Sequence, residues 1–270
     1  MENAAPRKWW EPFTPQDGMW YRWLLLGAEI LVCRRENRWS GLCKDRPWKE
    51  RTGTCSGPGE AGMNDPPGDI FWGNSSKYPS AAIRPLLPAK PFLISFPRGL
   101  RLFPETELTL ELNLPFLLRL SIVKNHRAEE TIFSFEPFIL NETWYGDTTM
   151  EGLLCLALNM DGIFEEPAET PGEKAPQTGA IRCRMLLRNR VKTAVKLSAI
   201  PLFAGEFSIY EKDQELVSDT PVVDIFGTGD FRMSPAAPDH ARVLVPGNKS
   251  GVGEMLIHHG TRIIKDITGH

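Results

Sequence analysis

Cysteine is few and unpatterned in this chain of 270 residues. Cys33, Cys43, Cys55, Cys155 and Cys183 form an odd set with no C-x-x-C step, which excludes a zinc ribbon or a thioredoxin-like pair. Neither charge sign dominates. Lys plus Arg is 31 and Asp plus Glu is 34, a net charge of -3, so the chain as a whole has no pull toward nucleic acid or acidic lipid. Long apolar runs are also missing: the best membrane candidate, Leu24 to Val32, carries Gly27 and Glu29 and is less than half the roughly 20 residues of a helical span. The opening MENAAPRKWW has no apolar signal core. Three matches to the glycosylation pattern, at Asn74, Asn141 and Asn248, therefore carry little meaning. These absences predict a soluble protein in a reducing cytoplasm, with no transmembrane segment.

What the sequence does have is alternation. Leu108, Leu110, Leu112, Leu114, Phe116, Leu118, Leu120 and Ile122 occupy every second position, with Glu107, Thr109, Glu111, Asn113, Arg119 and Ser121 between them. A strand sends successive side chains to opposite faces, so this run has one oily and one wet face. A second run behaves alike. Ile181, Cys183, Met185, Leu187, Val191, Val195 and Leu197 are odd-numbered, while Arg182, Arg184, Arg188, Arg190, Lys192 and Lys196 are even-numbered. It reads either as one long strand or as two joined near Asn189. Further short strands are expected at Thr131–Phe135, Trp144–Tyr145, Leu153–Leu158, Phe207–Tyr210, Val222–Phe226, Val243–Val245, Glu254–His258 and Arg262–Ile267. Trp20–Leu26 and Ile30–Arg35 read as strands about a Gly27-Ala28-Glu29 turn, with one amphipathic helix as the competing reading.

The expected fold is therefore all-β, an antiparallel β-sandwich or two packed sandwich halves, with little helix. Residues 1–18 read as an irregular lead-in. Pro85, Pro88, Pro91 and Pro97 favour edge positions, and Pro115 a bulge or free edge. Residues 51–69 and 165–179 are Gly/Pro-rich and polar, which predicts loops without regular structure. Composition divides the chain into Trp-rich strands and a long loop at 1–80, a sandwich core at 81–235 and a carboxy-terminal hairpin segment at 236–270.

Most motif-like stretches reduce to turns. Phe226-Gly227-Thr228-Gly229-Asp230 lacks the third glycine and the helix of a dinucleotide site. In Pro246–Gly253, Asn248 stands where a phosphate loop needs glycine. His258 and His259 are strand neighbours and point to opposite faces, so they do not converge on a metal. Asp147, Asp161, Glu165, Glu166, Asp224 and Asp230 supply carboxylates for a glycosidase-like pair, but no pairing can be chosen. The segment Arg34 to Arg51 mixes cations with Trp39 and Trp48, and reads as solvated surface before it reads as a nucleic-acid patch. Trp144 and Tyr145, next to Gly146-Asp147, would form an aromatic platform. Trp144 reads first as a core anchor.

Some of this punctuation has a familiar order. A strand ends on Leu114-Pro115, a turn follows at Tyr145-Gly146, and Gly152-Leu153-Leu154-Cys155 opens another strand. Across residues 85 to 235 this order resembles the prokaryotic family called domain of unknown function 432. After the cysteine, where that pattern has Arg-Tyr, this chain has Leu156-Ala157. The resemblance implies a β fold and no particular activity.

Two functional readings stand. The first is a non-catalytic binding module that meets another protein or an anionic ligand through Arg182, Arg184, Arg188, Arg190 and Lys192, helped by the Trp-rich amino-terminal arm. If Arg184, Arg188 and Arg190 each prove paired with a carboxylate of the chain itself, that face loses its main support. The second is an enzyme or carbohydrate-binding module with a cleft near Trp144, Tyr145 and Asp147. Neither requires a cofactor or a metal.

Overall fold

Both alternating runs fold as strands, and even positions from Leu110 to Ile122 are buried while Glu107 and Glu111 are exposed. The computed structural model describes residues 8–45, 55–61, 72–75, 77–125, 128–136, 141–146, 153–158, 179–227, 229–247, 255–258 and 261–264. Strands dominate them, and one 3-10 turn, Ala204–Glu206, is the helical element among them. The chain is all-β.

It divides into two units. The first comprises Met1–Leu86, Phe116–Phe138 and Gly172–Gly179. Its larger sheet is antiparallel and contains β1 (Trp20–Leu25), β2 (Ala28–Arg35), β3 (Arg38–Asp45), β4 (Cys55–Glu60) and β5 (Trp72–Ser75) in the order β4-β1-β2-β3-β5. Leu26 and Gly27 both have positive φ, the signature of a two-residue hairpin turn. That hairpin replaces the single helix weighed for this stretch. The smaller sheet joins β6 (Ser80–Leu86), β9 (Leu117–Asn125) and β10 (Ala128–Phe135) in the order β10-β9-β6.

Two expectations fail in this unit. The stretch 51–69 contains strand β4, paired antiparallel with β1. An edge strand needs backbone hydrogen bonds rather than an oily face, and the register shift between Arg22 and Leu24 accommodates the Gly57-Pro58 step. The Trp-rich arm is not free for binding either. Trp9, Trp10, Phe13, Trp20, Trp23 and Trp39 are all buried. Trp9 stacks on Phe116 with centroids 5.8 Å apart, and Phe13 meets Trp23 edge-on at 4.6 Å. Phe13 also exchanges backbone hydrogen bonds with Ala81, at 2.8 and 3.0 Å. The buried Arg84 guanidinium donates to the Trp10 carbonyl. Rings this large gain more from burial than from display, so the lead-in is pulled into the core.

The second unit comprises Leu87–Pro115, Ile139–Pro171 and Ala180–His270. Its four-stranded sheet orders β7 (Phe92–Leu102), β11 (Glu142–Tyr145), β12 (Leu153–Leu158) and β14 (Val195–Leu202) as β11-β12-β7-β14. Pro97 lies inside central β7 rather than at an edge. It is tolerated because the β7–β14 ladder breaks between Leu197 and Ala199, where Gly99 turns with φ 72°. The other sheet holds nine strands: β8 (Glu107–Leu114), β13 (Ile181–Asn189), β15 (Ile209–Lys212), β16 (Glu215–Ser218), β17 (Thr220–Gly227), β18 (Asp230–Ala236), β19 (Arg242–Val245), β20 (Met255–His258) and β21 (Thr261–Ile264). β20 and β21 pair antiparallel.

A purely antiparallel arrangement is overturned. β7 runs parallel to β12, and β13 runs parallel to both β16 and β17. Alternation reports which face is wet, not which way a neighbour runs. The long connections that parallel pairing needs are present in each case. The long leucine-rich run is likewise two strands. Pro115 ends β8 in the second unit, and β9 begins in the first with its alternation still in phase. Most of the 165–179 stretch lies outside the described residues.

Candidate functional site

β13 organises the mixed sheet. Ile181, Cys183, Met185 and Leu187 are fully buried, as expected from the odd-numbered pattern. Burial pushes the Cys183 thiol up to about 12, which leaves it protonated and inert at neutral pH. Arg182, Arg184 and Arg188 emerge on the opposite face, where each meets a carboxylate. Glu215 lies 2.6 Å from Arg182, Glu111 lies 3.8 Å from Arg184, and Glu107 lies 2.8 Å from Arg188. Glu111 and Glu107 are the direct register partners of Arg184 and Arg188 on antiparallel β8. Arg190 pairs with Asp224 at 2.7 Å.

The six cations do not share one face. Asn189 ends β13: its side-chain amide is buried and donates to the carbonyls of Leu102, Phe103 and Thr193 at 3.2, 2.9 and 2.9 Å. Its Oδ1 accepts from the Val191 N–H at 3.0 Å. Arg190 and Lys192 therefore lie beyond the strand, and Lys196 is on β14 in the other sheet of the unit.

The other edge of β13 forks. Arg182 is opposite Val217 of β16, and Leu186 is opposite Val222 of β17. The offset rises from 217 − 182 = 35 to 222 − 186 = 36, so one extra residue is inserted between the two pairings. Asp219 sits at that break. β16 pairs onward with β15 and β17 with β18, and the sheet opens between them. Asp219 holds the break from inside. It is 3% exposed, and its carboxylate accepts from the Ser208 N–H and the Tyr210 hydroxyl, both at 2.7 Å. Its own N–H donates to the Ser208 carbonyl at 3.1 Å. Burial, and then the bond to Asp219, raises the Tyr210 phenol. The Ser208 hydroxyl receives the Gly247 N–H at 3.0 Å. A side chain at Gly247 would put its Cβ 2.1 Å from the Glu206 carbonyl oxygen, so glycine is required there.

A groove of about 500 Å³ occupies the fork, within the second unit. Arg182 and Arg184 line it from β13, and Glu111 from β8. The β15–β16 hairpin contributes Lys212, Asp213 and Glu215. Asp213 and Gln214 form its two-residue turn with positive φ at both. Val217, Ser218 and Thr220 line the break itself, and Ala237, Pro238 and Asp239 follow the end of β18. Among the described residues three cations face four carboxylates, so that lining sums to 3 − 4 = -1. No histidine or cysteine among the described residues lines it, and the Ser218 hydroxyl is spent on the Asp219 carbonyl at 2.9 Å. The arrangement suits holding a polar molecule.

Of the described candidate site residues from the sequence, Arg182 and Arg184 enter this groove. Arg188, Arg190 and Lys192 do not. Trp144 is no core anchor: it is 51% exposed on edge strand β11, opposite half-exposed Leu154. An edge position covers a ring on one side only. Tyr145 is partly buried, which raises its phenol, and Asp147 lies outside the described residues. Lys212, Asp213, Asp219 and Asp239 went unnoticed in the sequence. The Lys-Asp-Gln-Glu turn was the one available signal. Among the described residues no three or more metal-ligating side chains cluster, and no helix is long and apolar enough to cross a membrane.

No curated protein and no solved structure matches the chain. A family model does, and over more of the sequence than the strand punctuation suggested. It spans residues 9–241, from the first buried tryptophan through the groove, and by that match the chain belongs to the family described as protein of unknown function (DUF432).

Proposed function

We propose that this protein is a binding module whose ligand seat is the groove at the β16–β17 fork. One observation carries the reading: Arg182 and Arg184 line a concave space of about 500 Å³, inside the ~300–1,000 Å³ range of small-ligand sites. An open basic face is no longer the support, because Arg184, Arg188 and Arg190 each have an intramolecular carboxylate. What supports binding over catalysis is the lining, rich in fixed charge and, among the described residues, without histidine or cysteine. The same reading takes the two sheets of the second unit as the layers of a sandwich, which the one-sided burial of β8 and β13 supports.

The test compares wild type with Ala237→Trp, which fills the groove from an exposed position. Thermal unfolding is followed against a panel of small charged and polar compounds. At least one should raise the wild-type midpoint by about 2 °C or more and leave the variant unmoved. If every stabilising compound acts equally on both, the reading falls.

A carbohydrate cleft beside Trp144 has one observation in its favour, the half-exposed ring on an edge strand. Titration with soluble oligosaccharides, using Trp144→Ala as the control, decides it: heat that persists in the variant removes this second site.

A further inference from the structure

We infer that the groove takes a ligand bearing a positive and a negative charge on one small skeleton, an α-amino acid or short peptide, in preference to a simple anion. This rests on the groove being a binding seat, and charge arithmetic carries it. The two arginines are already matched, Arg182 by Glu215 at 2.6 Å and Arg184 by Glu111 at 3.8 Å. A simple anion reaching them must lie beside those same carboxylates, and like charges at that distance repel.

The groove charges with no ion pair among the described residues are one cation, Lys212, and two carboxylates, Asp213 and Asp239. They come from different strands. Lys212 and Asp213 sit at the tip of the β15–β16 hairpin, while Asp239 follows β18. A ligand ammonium would find Asp239 and Asp213. A ligand carboxylate would find Lys212, which has no carboxylate partner among the described residues. Val217, Ala236 and Ala237 offer a short apolar strip for the connecting carbons. Of these three unpaired charges a plain cation meets two, Asp213 and Asp239, and a plain anion one, Lys212.

The experiment is calorimetric titration of the full chain with three matched probes: glycylglycine, N-acetylglycine (anion only) and glycinamide (cation only). Glycylglycine should bind about tenfold tighter than either of the others. Lys212→Gln and Asp239→Asn, both at solvent-accessible positions, should each weaken it by about fivefold. Lys192→Gln, outside the groove, should change nothing. N-acetylglycine or inorganic phosphate binding as tightly as glycylglycine overturns the inference, as does failure of all probes to bind or indifference to both variants. The two ideas fail differently. A groove-dependent anion or neutral compound in the Ala237→Trp comparison would leave the groove standing and remove the mixed-charge ligand, whereas no groove-dependent compound at all removes both.

Discussion

Arg184 and Glu111 stand directly opposite each other on antiparallel β13 and β8, with charged atoms 3.8 Å apart. At the end of the same ladder, Arg188 and Glu107 repeat the arrangement at 2.8 Å. Opposite charges facing across a ladder favour the observed register, since a one-residue slip would put each arginine across from an uncharged neighbour. The basic strand is thus matched to an acidic-faced partner far away in sequence. Its charges are first of all a pairing device.

That reading sets an expected outcome for charge reversal. Both groups of the Arg184–Glu111 pair are more than half exposed, so the pair contributes only about 0–1 kcal/mol. Glu111→Lys should destabilise by about 0.5–1 kcal/mol in urea unfolding. Adding Arg184→Glu should recover most of the loss. A double variant no better than the sum of its singles would show that the two charges are not coupled.

Asn189 carries more weight than any of the exposed arginines. Its side chain is 2% exposed and satisfies three carbonyls and one N–H where β13 ends. Asn189→Ala removes those partners from buried groups, so a loss of about 2–4 kcal/mol is expected from denaturant midpoints. A loss under about 0.5 kcal/mol would mean that water replaces the amide without cost.

The contrast between these sites explains what was legible in the sequence. Period-two alternation placed Leu110 to Ile122 and Ile181 to Leu187 on buried faces because burial is a property of each side chain. The groove depends on a relation between strands: the extra residue at Asp219 that splits β16 from β17. No local pattern announces which strand a bulged segment lies beside, or that the neighbour runs parallel. Asn189 was legible as the place where the run could divide into two strands, but not as the buried amide that closes the end of β13. The tryptophans misled in both directions. Trp9 and Trp10, in a proline-rich lead-in, are core, while Trp144, in a strand, is exposed.

Alkaline pH should destabilise the fold through its buried thiols. Burial raises Cys155 to about 11 and Cys183 to about 12, from an ordinary value of 9.0. A group whose folded value is raised adds stability that is complete below its unfolded value and is lost as pH rises toward the folded one. Unfolding free energy should therefore hold up to about pH 9 and decline from there toward about pH 12. Tyr210, also raised, adds to the decline at its upper end. Cys183→Ala should flatten part of that slope. An unchanged slope in this variant would mean that Cys183 is not protected from solvent, and alkylation of the native thiol at pH 8 would lead to the same conclusion.

The last expectation separates tryptophans that build the core from the one that does not. Trp23 is 1% exposed and packs edge-on against Phe13 at 4.6 Å, whereas Trp144 is 51% exposed on an edge strand. Trp23→Ala leaves a cavity the size of an indole, and such truncations cost about 3–5 kcal/mol. Trp144→Ala vacates a half-solvated position and should cost about 0.5 kcal/mol or less. Measured side by side in urea, the two variants should differ severalfold in their effect on stability. Were Trp144→Ala the more damaging of the two, the ring would have to be covered in solution, and both its exposure and its use as a sugar platform would be wrong.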